Sequence, residues 1–152
     1  MNIATAIRKG IYTFLIPTSG TNSFKTAVQL LLSGSTYGYK LFHYQAPQFY
    51  PGTSVSVVPS YVTFSLLPIN NNRDTVNKFY ECLLQFNVCA LTEEAAENLT
   101  QLIYDKLEDS ESTLTFTGYK TIRIERAPQL PIFKVDNVFN IVAQYNLQLQ
   151  AN

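Results

Sequence analysis

The sequence predicts an α+β domain: a mostly antiparallel four-stranded sheet with an N-terminal helix and one long helix packed on one face. Two observations carry that expectation. Three long segments, Lys78 to Leu91, Thr113 to Arg126 and Val138 to Gln150, alternate apolar and polar residues with period two, the mark of strands with one face in the core. Between the first and second, Thr92 to Asp109 spaces its apolar residues for a helix. The order of elements reads helix, short helix, strand, strand, helix, strand, strand, as expected for helices segregated to one face of a sheet.

The first element is a helix over residues 3 to 16. Ile3, Ala4, Ile7, Ile11, Phe14 and Leu15 recur at helical spacing, and Pro17 stops it. Ser23 is the expected cap of a second, short helix, Phe24 to Leu32, closed by Ser33 and Gly34. Residues 37 to 50 are dense in aromatics but broken by Gly38 and Pro47, which predicts a packed irregular loop. Tyr61 to Leu67 is a strand with Val62, Phe64 and Leu66 on one face, stopped by Pro68; Asn70 to Asp74 is a polar turn.

In the strand 78–91, Tyr80, Cys82, Leu84, Phe86, Val88 and Ala90 form an apolar face, and the opposite face is mixed. Thr92 then caps the long helix, with Glu93 and Glu94 favourably placed against its dipole. Ala95, Ala96, Leu99, Leu102, Ile103 and Leu107 make its buried stripe. The segment 113–126 places Leu114, Phe116, Gly118, Ile122 and Ile124 on one face. The last strand places Phe139, Ile141, Ala143, Tyr145, Leu147 and Leu149 inward and an amide-rich face outward. The connection Ala127 to Asn137, with Pro128 and Pro131, is too long for a tight turn.

Composition narrows the function. A length of 152 residues suits a single domain, 1–152, with 46% hydrophobic and 13% aromatic residues. Charged residues are only 14%, and 11 bases balance 11 acids. So weakly charged a surface suits a protein covered by partners. It lacks the clustered Lys and Arg that grip phosphates; Arg8–Lys9 and the group Lys120, Arg123 and Arg126 are its densest basic spots. No apolar run approaches the roughly 20 residues of a membrane span, and no signal peptide is expected.

The residue types of catalysis are sparse. Cys82 and Cys89, seven apart on one strand, fall on opposite faces and cannot bridge. His43 is the single histidine, so no histidine-rich metal site is expected. A general base at His43 would need an acid supplied by the fold; a packed loop histidine is the simpler expectation. Glu93, Glu94 and Glu97 are explained by the helix start. Asp105, Glu108, Asp109 and Glu111 make an acidic exit to the same helix. Asn98-Leu99-Thr100 fits a glycosylation sequon but lies mid-helix. No phosphate loop, nucleophile elbow or zinc motif is present. The sequence thus predicts no catalytic, cofactor or metal site.

Certain words in the chain carry a resemblance. The run Phe42-His43-Tyr44-Gln45-Ala46-Pro47-Gln48 is followed, after a loop, by Pro59-Ser60-Tyr61-Val62-Thr63-Phe64-Ser65. The long strand then leads into Leu91-Thr92-Glu93-Glu94-Ala95-Ala96-Glu97, and two further strands close the chain around the loop from Pro128 to Asn137. This order resembles the tail terminator, or tail completion, proteins of long-tailed bacteriophages and gene transfer agents, over roughly residues 40 to 150 and the first helix. Residues 18 to 40 and the loop Phe49 to Val58 are longer than the family's pattern.

The resemblance implies a structural virion protein made in the host cytoplasm. Its fold would be the α+β frame above. Its subunits would form a ring, usually a hexamer, that caps the head-proximal end of the tail tube and joins it to the head connector. The partners implied are a second copy of the chain, the tail tube protein and a neck protein, with DNA crossing the ring unbound. The interface candidates are apolar residues of the two loops Ala46 to Ser60 and Ala127 to Asn137: Phe49, Tyr50, Ile132 and Phe133. The alternatives are another neck, head-completion or tube protein, or a small cytosolic enzyme built on His43 and an acid.

Overall fold

Two long antiparallel strands organise the molecule in a computed structural model that describes residues 2–34, 36–67, 70–73 and 78–152. In chain order the elements are α1 (Ile3–Leu15), α2 (Ser23–Ala27), β1 (Gln29–Ser33), β2 (Thr36–Tyr39), β3 (Leu41–His43), β4 (Tyr61–Leu66), β5 (Asn70–Arg73), β6 (Lys78–Ala90), α3 (Glu93–Leu107), β7 (Thr115–Phe116), β8 (Tyr119–Arg126), β9 (Phe133–Val135) and β10 (Val138–Ala151). β6 and β10 pair from Phe139 opposite Ala90 to Gln150 opposite Phe79. Each long strand then carries two shorter ones on its free edge. β4 and β5 follow one another along β6, and β9 and β8 along β10. β3 adds to β4 in parallel, and β7 closes a hairpin on β8.

The expected four-stranded α+β frame is therefore overturned. Strand outweighs helix: the main sheet is eight-stranded and mixed, and β1 and β2 form a separate two-stranded sheet. The helices and the apolar faces of the strands share one buried cluster. It contains Ile7 and Ile11 of α1, Leu84, Phe86 and Val88 of β6, Ile103 of α3, and Ile141 and Leu147 of β10, each at most 1% exposed.

The long elements keep the periodicity of their sequence. The even positions of β6 from Cys82 to Ala90 are buried, while Glu81 is exposed and Leu83, Gln85 and Asn87 are half-buried. α3 buries Ala96, Leu99, Ile103 and Leu107 against the sheet. The Thr92 side chain accepts from the Ala95 backbone N–H at 3.2 Å. Thr92→Ala should lower the unfolding free energy by about 1 kcal/mol, read by chemical denaturation, because one of the first-turn donors loses its partner. α1 ends as expected: Ile16, ahead of Pro17, sits at φ −121, ψ 74, outside the helical region.

The short elements depart from expectation. The segment 24–32 is not one helix. Asn22 rather than Ser23 caps α2, its Oδ1 accepting from Lys25 N–H at 2.7 Å. The helix stops at Ala27, and Gln29 to Leu31 pair with Tyr39 to Tyr37. A nine-residue helix is marginal by itself, and pairing with the tyrosine strand decides the outcome. Residues 37 to 43, expected as loop, are the strands β2 and β3. The polar turn at 70–73 is the strand β5; Pro68 and Asp74 lie outside the described residues.

Likewise 113–126 is not one strand. It folds at Thr117–Gly118, with Gly118 at φ +83, a left-handed turn position suited to glycine. A β-bulge then follows. Thr121 faces Leu149 and Arg123 faces Gln148, so Ile122 is the extra residue. The bulge leaves Ile122 39% exposed and turns Thr121 inward, where its hydroxyl donates to Leu114 O at 2.6 Å. The connection 127–137 also contains a strand, β9, which reaches β10 through Asp136 and Asn137, both at positive φ. That is the geometry of a tight two-residue hairpin.

Candidate functional site

A cavity of about 770 Å³ is bounded by α1, the β1–β2 hairpin, β3 and the segment at Tyr50 and Pro51. Its size falls in the range of small-molecule pockets. All three residues of β3 line it, together with Tyr12, Tyr37 and Tyr39. Among the described residues, Arg8 and Lys9 are its only charged lining groups and no carboxylate lines it. Arg8, Lys9 and Tyr12 arrive from the side of α1 away from Gly10, which packs on Phe116 of β7.

The cavity lies over a sheet edge. Leu41 and His43 share a face with their parallel neighbours Val62 and Phe64, whereas Phe42 lies on the opposite face with Thr63. Side chains on opposite faces of one strand can border one cavity only where it opens along the edge. The backbone agrees. Val62 N–H donates to Lys40 O at 2.8 Å and Tyr44 N–H to Phe64 O at 2.9 Å, so the even residues turn their polar groups toward β4. Leu41 and His43 therefore turn theirs outward into the cavity. The His43 carbonyl accepts from Gln45 N–H at 2.9 Å.

His43 packs its ring 4.0 Å from that of Tyr44 and 5.3 Å from that of Phe64, centroid to centroid. Burial, with the nearby Arg8 cation, holds its pKa below the ordinary 6.5. Among the described residues lining the cavity no carboxylate stands beside the ring to orient it as a paired general base requires. As the single histidine it gives one clean NMR titration, whose midpoint should fall below 6.5 and rise in Arg8→Ala. A depressed histidine binds its proton more readily in the unfolded chain. Any stability it contributes is therefore present above pH 6.5 and lost as pH falls through the folded value.

The four interface candidates separate. Phe49 and Phe133 are 43% and 47% exposed, while Tyr50 is 3% exposed. Tyr50 lays its ring on Gly38, where an added Cβ would come within 3.0 Å of Cδ1, and its buried hydroxyl has no partner. Ile132 packs against the core. Nor do the two loops come together. The first borders β3 at one edge of the sheet, and the second contains β9 beyond β10, with β4 and β6 between. Both cysteines are buried free thiols, and burial pushes that of Cys82 up to about 11. Among the described residues no cluster of His, Cys, Asp and Glu could hold a metal, and no helix is long and apolar enough to cross a membrane.

Sequence reasoning noted Arg8–Lys9 and the tyrosines separately and missed that they share a wall. The one available signal was the alternation Tyr37, Tyr39, Leu41, His43, which continues across β2 and β3 with period two.

Fold and cavity together describe a mixed-sheet protein with an aromatic-lined concavity beside its edge strand β3. No family model matches the chain, and no curated protein is similar to it. Among solved structures its fold is similar to that of a chain in one described as the virion of a native gene transfer agent (GTA) particle. The TM-score is 0.65, the match covers 98% of each chain, and the sequences are 14% identical.

Proposed function

We propose that the chain is a structural virion protein, a tail terminator or completion subunit. It acts by binding: a ring of subunits caps the head-proximal end of the tail tube and joins it to the head connector. The observation that carries this reading is the fold likeness to a virion chain over 98% of both lengths, together with the order of sequence words described above. The ring has six subunits, the usual number in the family the chain resembles. Phe49 and Phe133 are the exposed interface anchors, while Tyr50 and Ile132 support them from within.

The face of β6 and β10 away from the helices supports DNA passage without specific binding. It carries Gln85, Asn87, Gln144, Asn146 and Gln148, with Gln144 Nε2 donating to Gln85 Oε1 at 2.8 Å. Beside it on β8, Arg123 and Lys120 stand opposite Gln148 and Gln150, but Arg123 is paired with Glu125 at 2.7 Å, so amides rather than clustered cations dominate the face and its grip on phosphates is weak. The test is to image particles produced with the gene deleted. A terminator predicts tails of uncontrolled length that fail to join heads, restored by supplying the chain. Normal tails of fixed length would overturn the reading; absent tails would point to a tube protein instead.

A further inference from the structure

We infer that the cavity beside β3 receives the β9–β10 hairpin of a second copy of this chain, so that β9 of one subunit extends the sheet at β3 of the next. This inference rests on the ring reading above and identifies the surfaces that would form it.

The two ends of the sheet are complementary. β3 is its last strand on one side, with the Leu41 N–H and C=O and the His43 N–H turned toward an aromatic cavity, the His43 carbonyl being taken by Gln45 N–H. β9 is an outer strand on the other side and, among the described residues, pairs only with β10. Its two-residue turn makes Val135 and Val138 the closing hydrogen-bonded pair, so Lys134 carries its N–H and C=O on the unpaired side. Phe133 and Val135, two residues apart on one face of β9, are 47% and 53% exposed. Lys134 turns the other way, its ammonium 5.0 Å from the Phe139 ring centroid. β9 thus presents an open backbone edge, an apolar face and the acidic tip residue Asp136.

The cavity offers the matching features: outward backbone groups, aromatic walls, and the cations Arg8 and Lys9 with no acid among its lining residues. Neither cation has an ion-pair or hydrogen-bond partner among the described residues. An exposed strand edge invites pairing, and strand addition combines main-chain hydrogen bonds with pockets for alternate side chains. The two surfaces lie at opposite edges of one subunit, so the contact is head-to-tail. Repeated, it closes into a ring when the rotation between copies permits.

The test is sedimentation of the full chain over a wide concentration range. The wild-type chain is expected to form species larger than a dimer. Phe133→Asp, which leaves the cavity intact, should weaken association about tenfold or more. It should melt with the wild type because its side chain is exposed; Val135→Asp is a second probe of the same face. Arg8→Glu combined with Lys9→Glu, which leaves β9 intact, should weaken it similarly. Mixing this variant with Phe133→Asp should restore one good contact per pair and yield heterodimers but nothing larger.

A wild-type chain that stays monomeric at every concentration would overturn the inference. So would Phe133→Asp and Val135→Asp variants that retain wild-type mass, or a mixture that forms no heterodimer. Particles that incorporate a monomeric chain would remove this contact yet leave the virion reading standing. A chain that self-associates as described but is absent from particles would do the reverse.

Discussion

Phe86→Ala is expected to destabilise the protein by about 3–5 kcal/mol, the usual cost of deleting a buried phenylalanine ring. The ring is fully buried at the centre of β6. Phe64 of β4 and Ala143 of β10 stand opposite it on the two neighbouring strands. Its centroid lies 6.2 Å from the rings of both Phe64 and Tyr145, so truncation opens a void that three strands share. β6 and β10 are joined by a long ladder and β4 pairs along β6, which leaves little freedom to collapse into that void. For a chain of this size the loss corresponds to a fall of roughly 6–20 °C in Tm, read by circular dichroism. Phe79→Ala, on the half-buried opposite face of the same strand, should cost much less. Equal losses at the two positions would show that the strand does not divide core from outer face as described.

That contrast also marks what the sequence makes legible. β6, α3 and β10 run for 13, 15 and 14 residues, long enough for their periods to repeat several times. Their buried positions follow directly from the pattern. The fold class fails on the short elements. β3 has three residues and β9 three, and a period of two cannot be distinguished over that length. They become strands because neighbours present open edges, which is a tertiary fact. Ile122 shows a different limit: one bulged residue reverses the parity, so a buried threonine stands where the pattern places an isoleucine. The candidate site is less legible still. Its cavity joins residues 8 to 64 from helix, hairpin, edge strand and loop. Of the loop residues singled out, Phe49 and Tyr50 are adjacent in sequence yet face opposite environments.

Gly10→Val should be the second severe substitution, and the competing terms decide its sign. Gly10 lies inside α1, where glycine is about 1 kcal/mol poorer than alanine as a helix former. On propensity alone its replacement by alanine would stabilise. The structure opposes this: a Cβ at Gly10 would sit 2.4 Å from Phe116 Cδ1, 2.8 Å from Cε1 and 3.0 Å from the Thr115 carbonyl oxygen. Phe116 is 5% exposed and belongs to the β7 strand held on β8, so neither the ring nor the carbonyl yields without moving α1 off the sheet. Overpacking of this kind costs about 1–3 kcal/mol. Gly10→Ala should therefore be mildly destabilising despite its better propensity. Gly10→Val, which adds bulk and forgoes most of alanine's helix advantage, should lose about 3 kcal/mol by chemical denaturation. Combining Gly10→Ala with Phe116→Leu should lose less than the sum of the two changes, because the smaller side chain relieves the clash. The same variants bear on association. α1 carries Arg8, Lys9 and Tyr12 into the cavity on its other side, so pushing α1 away from β7 displaces that wall. Gly10→Ala should then weaken self-association under conditions where the chain remains folded, although Gly10 itself does not line the cavity. Unchanged association in a folded Gly10→Ala chain would mean that the wall moves without consequence, and that β9 gains its hold from the β3 edge alone.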